Sequence, residues 1–258
     1  MDTIWVIIAL VFVIAFIFSM FGQGGGSVYT PVLFLFGYAV LLSVSTSLVL
    51  NLITSMSAGY VFYRHGMIDF KRALLFVPGI IIGSLTGSVV DNLHVVSTTF
   101  LLWLFVAFLV GAGARMIYSF REKGKTEGEC PTTFSKRMYL LIIAVSFLVG
   151  LLSSMLGVGG GIIIVPFMTY ICKYPTRWAA GASHLIISFS AFFGVIGHSA
   201  FGNIDLPLIL ATGVAVLIGG NLGGRIGVRM KSGPMKVGVG IIMWILAAQV
   251  VLKLLGYL

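Results

Sequence analysis

Long apolar runs separated by short polar breaks occupy almost the whole chain. A membrane-spanning helix needs roughly 20 apolar residues, and eight of the runs have about that length. Two more, 28–37 and 162–172, are only half as long. The longer runs are 4–21, 42–63, 71–90, 95–120, 138–156, 178–200, 206–228 and 236–256. The pattern predicts an all-α integral membrane protein.

A glycine cluster precedes each half-length run. Residues 22–26 read Gly-Gln-Gly-Gly-Gly, and residues 157–161 read Gly-Val-Gly-Gly-Gly. Glycine destabilises a helix interior by about 1 kcal/mol per residue, so each cluster predicts a break between a helix and a half-helix. Such a pair forms a re-entrant unit if it returns to the side on which it began. A plain bundle of eight complete helices is the alternative that the hydropathy leaves open.

The charges give a topology, because basic loops concentrate in the cytoplasm. All the basic loops lie in the cytoplasm only if residues 4–37 enter the membrane from outside and return there, and residues 138–172 enter from the cytoplasm and return there. Six full spans then complete the chain, and both termini lie outside the cell (inner) membrane. The basic loops are 64–72, 115–137, 173–177 and 225–236, whereas 1–3, 38–42, 91–94 and 201–205 contain no Lys or Arg.

The composition agrees with a membrane location. Of the 258 residues, 59% are hydrophobic and 9% are charged, whereas soluble domains have about 25% charged residues. The net charge of +9 lies in the loops between spans, which favours the lipid bilayer over nucleic acid as the partner. The two cysteines are too far apart in sequence to indicate a disulfide framework.

An internal repeat relates the two halves. A shift of 135 aligns Ser19, Met20 and the first glycine cluster with their counterparts from Ser154 onward, and a shift of 136 aligns 66–87 with 202–223. Each half holds one re-entrant unit and three spans, an odd number of crossings, so the second half is inverted. We predict a first repeat at 1–120, a cytoplasmic linker at 121–136 and a second repeat at 137–258, within a single membrane domain. The spacings Gly83-x-x-x-Gly87 and Gly219–Gly224 favour close helix packing.

The broken helices suggest an anion site. Each half-helix N-terminus points into the membrane centre with unpaired N–H groups and a partial positive charge, which suits an anion. No carboxylate occurs at mid-depth in a span, which argues against a cation pump. The alternative is that the glycines only permit a tight turn. The predicted substrate ligands are Gln23, Gly24, Gly25, Gly26, Ser27, Thr46, Ser47, Asn51, Gly159, Gly160, Gly161, Ser183, His184 and Ser188.

Several polar residues have competing interpretations. His184 could donate to an anion and titrate near neutral pH, or could be satisfied by a neighbouring helix. A hydroxyl within a span could instead bond the carbonyl one turn back. Arg64, Arg177 and His198 lie near span ends and are interpreted as interfacial anchors, with entrance or coupling as a second role for Arg177 and His198. No metal-ligand cluster, cofactor motif or catalytic residue is predicted.

Three paired patterns resemble the TauE/SafE family of sulfite exporters, also called TSUP transporters, over all of the chain except 121–136. They are Gly22–Gly26 with Pro31 and Gly157–Gly161 with Pro166, then 45–48 and 182–185, then 66–69 and 202–205. The resemblance implies a secondary transporter of sulfite, sulfoacetate or related organosulfonates, usually an exporter, coupled to the membrane potential or to protons. His184 stands where such a motif more often has a small hydroxyl residue.

The leading hypothesis is an anion transporter in which one half rocks against the other to give alternating access. An anion channel using the same helix dipoles and a transporter of small carboxylates stay open. A membrane hydrolase is disfavoured because Ser183 and His184 project about 100° apart on a helix and cannot pair as nucleophile and base.

Overall fold

The computed structural model describes residues 2–93, 135–199 and 205–255, together with helical residues between 103 and 118. Within these ranges the chain is helical with short connections and has no strand, so the all-α prediction is confirmed. The helices of the continuous ranges are α1 (Asp2–Met20), α2 (Gly26–Leu35), α3 (Val40–Arg64), α4 (Phe70–Ala73), α5 (Val77–Leu93), α6 (Lys136–Leu156), α7 (Gly161–Tyr170), α8 (Thr176–Ser199), α9 (Leu206–Gly227) and α10 (Ser232–Leu254).

Helix lengths match the hydropathy pattern with one difference. Among the described residues, α3, α6, α8, α9 and α10 are long and apolar enough to cross a membrane. The span expected at 71–90 is instead a short α4 followed by α5. Asp69 caps α4 by accepting from the Arg72 N–H, and Pro78 stands at the second position of α5. Proline cannot donate to the carbonyl one turn back, so a new helix starts there. Most of 95–120 and of the linker lies outside the described residues.

The directions of α1 and α3 determine the path of α2. Both helices pack parallel to α9 through its small residues, so α1 and α3 run the same way. The 10-residue α2, about 15 Å long, must therefore lead the chain back between them, as a re-entrant unit requires. The contacts are Gly219 with Phe12, Gly223 with Phe16 and Gly227 with Met20 for α1, then Gly220 with Thr54 and Gly224 with Ala58 for α3.

The second half repeats this arrangement around α5. Both α6 and α8 pack parallel to α5, so α7 must also return the chain to the side from which α6 came. The contacts are Gly79 with Ile143, Gly83 with Phe147 and Gly87 with Leu151 for α6, then Ser84 with Ser190 and Ser88 with Gly197 for α8.

The helices exchange partners between the halves. The helix that begins each half packs on a helix of the opposite half: α1 packs on α9, and α6 packs on α5. The contacts are reciprocal, since Gly219 meets the Phe12 carbonyl and its repeat counterpart Gly83 meets the Phe147 carbonyl. At the centre α3 and α8 cross antiparallel, with Gly59 against His184 and Leu48 against Gly194. The two halves are therefore interlocked.

Candidate functional site

Each glycine cluster ends one helix and starts a half-helix. Gly25 and Gly160 are the N-caps of α2 and α7, and no side chain caps either helix. The first N–H groups of both half-helices therefore keep the partial positive charge of a helix N-terminus. The backbone at Gly24 and Gly159 has the same φ of 81°, a region that side chains disfavour and glycine adopts freely.

The two breaks touch each other at the crossing of the halves. Gly26, the first residue of α2, packs against the backbone of Gly157 and Val158. Gly161, the first residue of α7, packs against Gly22 and Gln23 in the same way. Each half-helix N-terminus thus lies beside the break of the other half, which is the convergence that the sequence predicts.

Two serines hold the breaks together across the halves. Ser47 Oγ lies 3.0 Å from the Gly26 carbonyl oxygen and 2.9 Å from that of Gly157. Ser183 Oγ donates to the Gly22 carbonyl. These bonds pair Ser47 with Ser183 as repeat counterparts, so His184 corresponds to Leu48. The pairing of 45–48 with 182–185 expected from sequence, which sets Ser47 opposite His184, is therefore wrong by one residue, because short polar stretches allow several alignments.

Asn51 lies between the two breaks. A Cβ on Gly24 or Gly159 would overlap its carboxamide, and a Cβ on Gly26 would lie 3.0 Å from its Nδ2. The Asn51 side chain is fully buried, yet neither of its polar atoms has a hydrogen-bond partner. A buried polar group without a partner costs about 1–3 kcal/mol. The position of Asn51 therefore points to a ligand that supplies the missing partner.

Five more side chains of the first half share this property, as do Ser154 and Thr176 of the second half. The five are at most 8% exposed, and their terminal polar atoms are unpartnered. Thr30 Oγ1 lies against Gly157, and Ser55 Oγ lies beside Gly24. We refer to the six residues as the polar cluster: Gln23, Ser27, Thr30, Thr46, Asn51 and Ser55. None of them is ionisable, so the polar cluster offers hydrogen-bond donors and acceptors without a fixed charge.

The polar cluster belongs to the first half alone. At the repeat offsets, Gln23, Ser27 and Thr30 correspond to Val158, Ile162 and Val165, and Asn51 corresponds to Ile187. A Cβ on Gly161 would overlap the Ile187 side chain, where its counterpart Gly26 faces Asn51. The backbone conformation of the break is thus repeated in both halves, but only the break of the first half carries these polar side chains.

His184 is placed to support a break. Its Nε2 lies 2.9 Å from the Ser19 carbonyl oxygen, in the last turn of α1, and its ring packs against Phe62. Ser188 Oγ donates to the carbonyl of His184 itself. The interpretation of His184 as a histidine satisfied by a neighbouring helix thus holds for Nε2, whereas Nδ1 has no partner.

Two other predicted residues, His198 and Arg177, lie apart from the polar cluster, and two glycines of the breaks face away from it. The interfacial position expected for His198 is wrong: it is fully buried, and its Nε2 lies 3.0 Å from the Ser154 carbonyl, as His184 does from Ser19. Arg177 is partly exposed in the first turn of α8. Gly25 and Gly160 face the Tyr29 ring and Val149 rather than the opposite break.

Sequence reasoning missed Thr30 and Ser55. Ser55 lies one turn beyond Asn51 and two turns beyond Ser47, on the same face of α3. That spacing is the signal that could have identified it. Thr54, beside it, bonds the buried Tyr29 hydroxyl at 3.0 Å and fastens α2 to α3. Among the described residues, no group of three or more His, Cys, Asp or Glu could hold a metal ion.

Comparison with known proteins identifies the family of the chain. The family model described as "Sulfite exporter TauE/SafE" matches residues 7–250, nearly the whole chain. The chain belongs to the TauE/SafE sulfite exporter family. It is therefore a multi-pass membrane transporter and not an enzyme, and the resemblance stated from the paired motifs is confirmed.

Curated relatives in this family cover most of the chain. The probable membrane transporter protein YunE of Bacillus subtilis (strain 168) is 27% identical over 90% of this chain and 92% of its own length. A probable membrane transporter protein of Methanocaldococcus jannaschii is 24% identical over 88% of this chain and 87% of its own. YdhB of B. subtilis is 26% identical over 88% and 89%. No solved structure gives a significant match.

Proposed function

We propose that the chain is a secondary transporter that carries a small sulfite- or sulfonate-bearing anion across the cell membrane by alternating access. One observation carries the proposal: the buried, unpartnered and uncharged polar cluster lies where two uncapped half-helix N-termini converge. The name of the matching family supports a sulfur-containing anion. An anion with several acceptor oxygens would supply the hydrogen-bond partners that this cluster lacks.

The donors suit a compact oxyanion. The Asn51 and Gln23 amides each offer two N–H donors, and the hydroxyls of Ser27, Thr30 and Ser55 offer one each. A sulfonate or sulfite presents three oxygens in different directions, which matches donors that come from several helices. The first N–H groups of α2 and α7 favour negative charge there without a buried Lys or Arg.

An apolar cleft supplies a route to this site. A cleft of about 370 Å³ lies between α3 and α8. Ser55 lines the cleft and also lies beside Gly24, so it connects the cleft with the polar cluster. Ile68, in the basic loop 64–72, lies at the cleft as well. We place this opening on the cytoplasmic side, as export requires, and its apolar walls suit the organic part of an organosulfonate.

We propose inverted halves with both termini outside. The reciprocal contacts of the halves and the antiparallel crossing of their equivalent helices α3 and α8 support this topology. A two-fold axis that relates antiparallel helices is perpendicular to them, and for helices that cross a membrane it lies in the membrane plane. The basic loops then all face the cytoplasm.

The interlocked packing changes the rocking movement expected from sequence. Since α1 packs on α9 and α6 on α5, a movement of one sequence half against the other would break both contacts. We propose instead that α1, α3 and α9 form one moving body, and α5, α6 and α8 the other. The antiparallel contact between α3 and α8 is then the surface at which the bodies move.

Replacing Asn51 tests the site. Asn51→Leu keeps the side-chain size, removes the amide and relieves an unsatisfied group, so the protein should fold. We expect counterflow of sulfite and sulfoacetate in proteoliposomes to fall at least tenfold. Thr212→Val is the matched control, because Thr212 is buried in α9 and bonds only the carbonyl one turn back. It should transport like the wild type.

Each other outcome contradicts a part of the proposal. Wild-type transport by Asn51→Leu would remove the polar cluster from the binding site. Ohmic single-channel currents in place of saturable counterflow would identify a channel. Saturable transport of small carboxylates without any of the sulfur anions would replace the substrate class.

A further inference from the structure

A basic pocket lies where α3 and α9 end side by side, apart from the polar cluster. Its volume is about 380 Å³. Arg64 and Arg225 lie in the last turns of the two helices, and Arg229 follows α9 by two residues. The basic pocket is lined by these three arginines together with Tyr60, His65 and Asn221.

The three arginines have no counter-charge in the described part of the chain. The ion pair found there joins Arg72 to Asp69, and none of the residues that line the pocket is an acid. The positive-inside rule accounts for arginines on this side of the membrane, and the helix dipole for their place at C-terminal ends. Neither accounts for their convergence on one concave site, because like charges repel. A bound anion would offset that repulsion.

The chemistry of the pocket favours a phosphate group. The planar guanidinium group pairs bidentately with phosphate oxygens and loses little hydration on doing so. Asn221 adds an amide donor one turn deeper along α9 than Arg225. Basic pockets between helices on the cytoplasmic side are typical sites for anionic headgroups.

The surroundings favour a phosphate carried by a lipid. Tyr60 lines both the basic pocket and the apolar cleft between α3 and α8. The charged headgroup of a lipid therefore fits on one side of Tyr60, and its acyl chain fits on the other. Tyr60, Leu222 and Ile226 are exposed, as residues that face acyl chains are. The contact of Gly224 with Ala58 closes the space between α3 and α9 below the pocket, which separates it from the polar cluster.

We propose that the basic pocket binds the phosphate of an anionic phospholipid on the cytoplasmic side of the membrane. The site is independent of the substrate site. It would hold α3 and α9, which belong to the same moving body, against the membrane interface.

Native mass spectrometry of the delipidated, purified protein tests this proposal. The protein is mixed with phosphatidylglycerol or with phosphatidylcholine of the same acyl chains, and retained lipids are counted. We expect the wild type to retain phosphatidylglycerol preferentially. The Arg64→Gln/Arg225→Gln/Arg229→Gln variant should bind it at least tenfold more weakly and lose the preference.

A second triple variant separates the pocket from general surface charge. Lys71→Gln/Lys136→Gln/Arg137→Gln removes the same charge from α4 and from the start of α6, which are assigned to the same side, and it should keep the wild-type preference. If the first triple variant does not give a monodisperse protein, Arg225→Gln alone replaces it, with Arg137→Gln as its control.

Three results would overturn the proposal. Equal loss of the preference in the pocket and control variants would assign the effect to overall charge. Unchanged binding in the pocket variant would remove the site. Displacement of phosphatidylglycerol by millimolar inorganic phosphate, with direct phosphate binding that the pocket variant lacks, would identify a soluble anion as the ligand instead of a lipid.

Discussion

At Asn51 a carboxamide with two unpartnered polar atoms lies between two glycine turns. Sequence reasoning could select Asn51, because an amide within an apolar span is expensive. It could also select the glycines, since both clusters carry the same pattern. It could select Ser55 only through its spacing from Ser47 and Asn51 on one face of α3. It could not select Thr30, because a lone hydroxyl in a helix can satisfy itself on the preceding turn, and only the contact with Gly157 distinguishes Thr30 from the other hydroxyls.

His184 is predicted to act as a hydrogen-bond donor and not as a titrating group. Its Nε2 donates to the Ser19 carbonyl, a role that a glutamine amide can take over. We expect His184→Gln to transport within about twofold of the wild type with an unchanged pH profile. His184→Leu leaves a buried carbonyl unsatisfied and should be destabilised by about 1–3 kcal/mol, measured as a lower Tm.

The exposed His65 provides the comparison for His184. His65 lines the basic pocket and lies apart from the substrate site, so His65→Leu should leave transport and its pH profile unchanged. A pH profile that shifts in His184→Gln but not in His65→Leu would contradict the donor role and restore His184 as a pH-sensitive ligand of the anion.

Among the elements, the helices meet through glycine in the same way at two places. Gly83 and Gly87 place α5 against α6, and Gly219 and Gly223 place α9 against α1. The small-residue packing expected from their spacing is confirmed. The sequence did not indicate which helices would meet, because the spacing describes one surface of a contact and not its partner.

We predict that Gly223→Val disrupts the contact between α9 and α1. A Cβ at Gly223 would overlap the Phe16 carbonyl oxygen and Ser19 Oγ. Backbone atoms cannot move aside as a flexible side chain can, so we expect a loss of roughly 1–3 kcal/mol or more. Thermal unfolding of the purified protein measures it.

Gly111→Val is the matched control for Gly223→Val. A Cβ at Gly111 meets nothing within 4 Å, and valine is the better helix former of the two residues. The control should therefore match or slightly exceed the wild-type Tm. Equal stability of the two variants would mean that α1 and α9 do not pack through Gly223.

In the whole molecule, the order and the directions of the helices limit how the chain can cross the membrane. The parallel packing of α1 and α3 on α9 supports a re-entrant first unit over a plain bundle of complete helices. The inverted halves stay a prediction, and so does the placement of both termini outside, because helix packing does not show which side of the molecule faces the cytoplasm.

Cysteine labelling of intact cells tests the orientation. In a background with Cys130→Ser and Cys172→Ser, we expect Ala39→Cys, before α3, to react with a membrane-impermeant maleimide. His65→Cys, after α3, should react only once the cells are permeabilised. Both positions are exposed, so access to the reagent decides the result. The opposite pattern would invert the topology, and with it the side assigned to the basic pocket.

The sequence by itself determined the membrane location and the family, and it predicted the repeat, because hydropathy, charge and glycine spacing are local properties of the chain. It also identified the glycine breaks and Asn51. Tertiary structure alone decided that α1 and α6 exchange partners between the halves, that His198 is buried, and that Ile187 faces one break where Asn51 faces the other. These features depend on contacts between residues of different helices, from Gly26 with Asn51 to Gly219 with Phe12, and no local pattern encodes which surfaces meet.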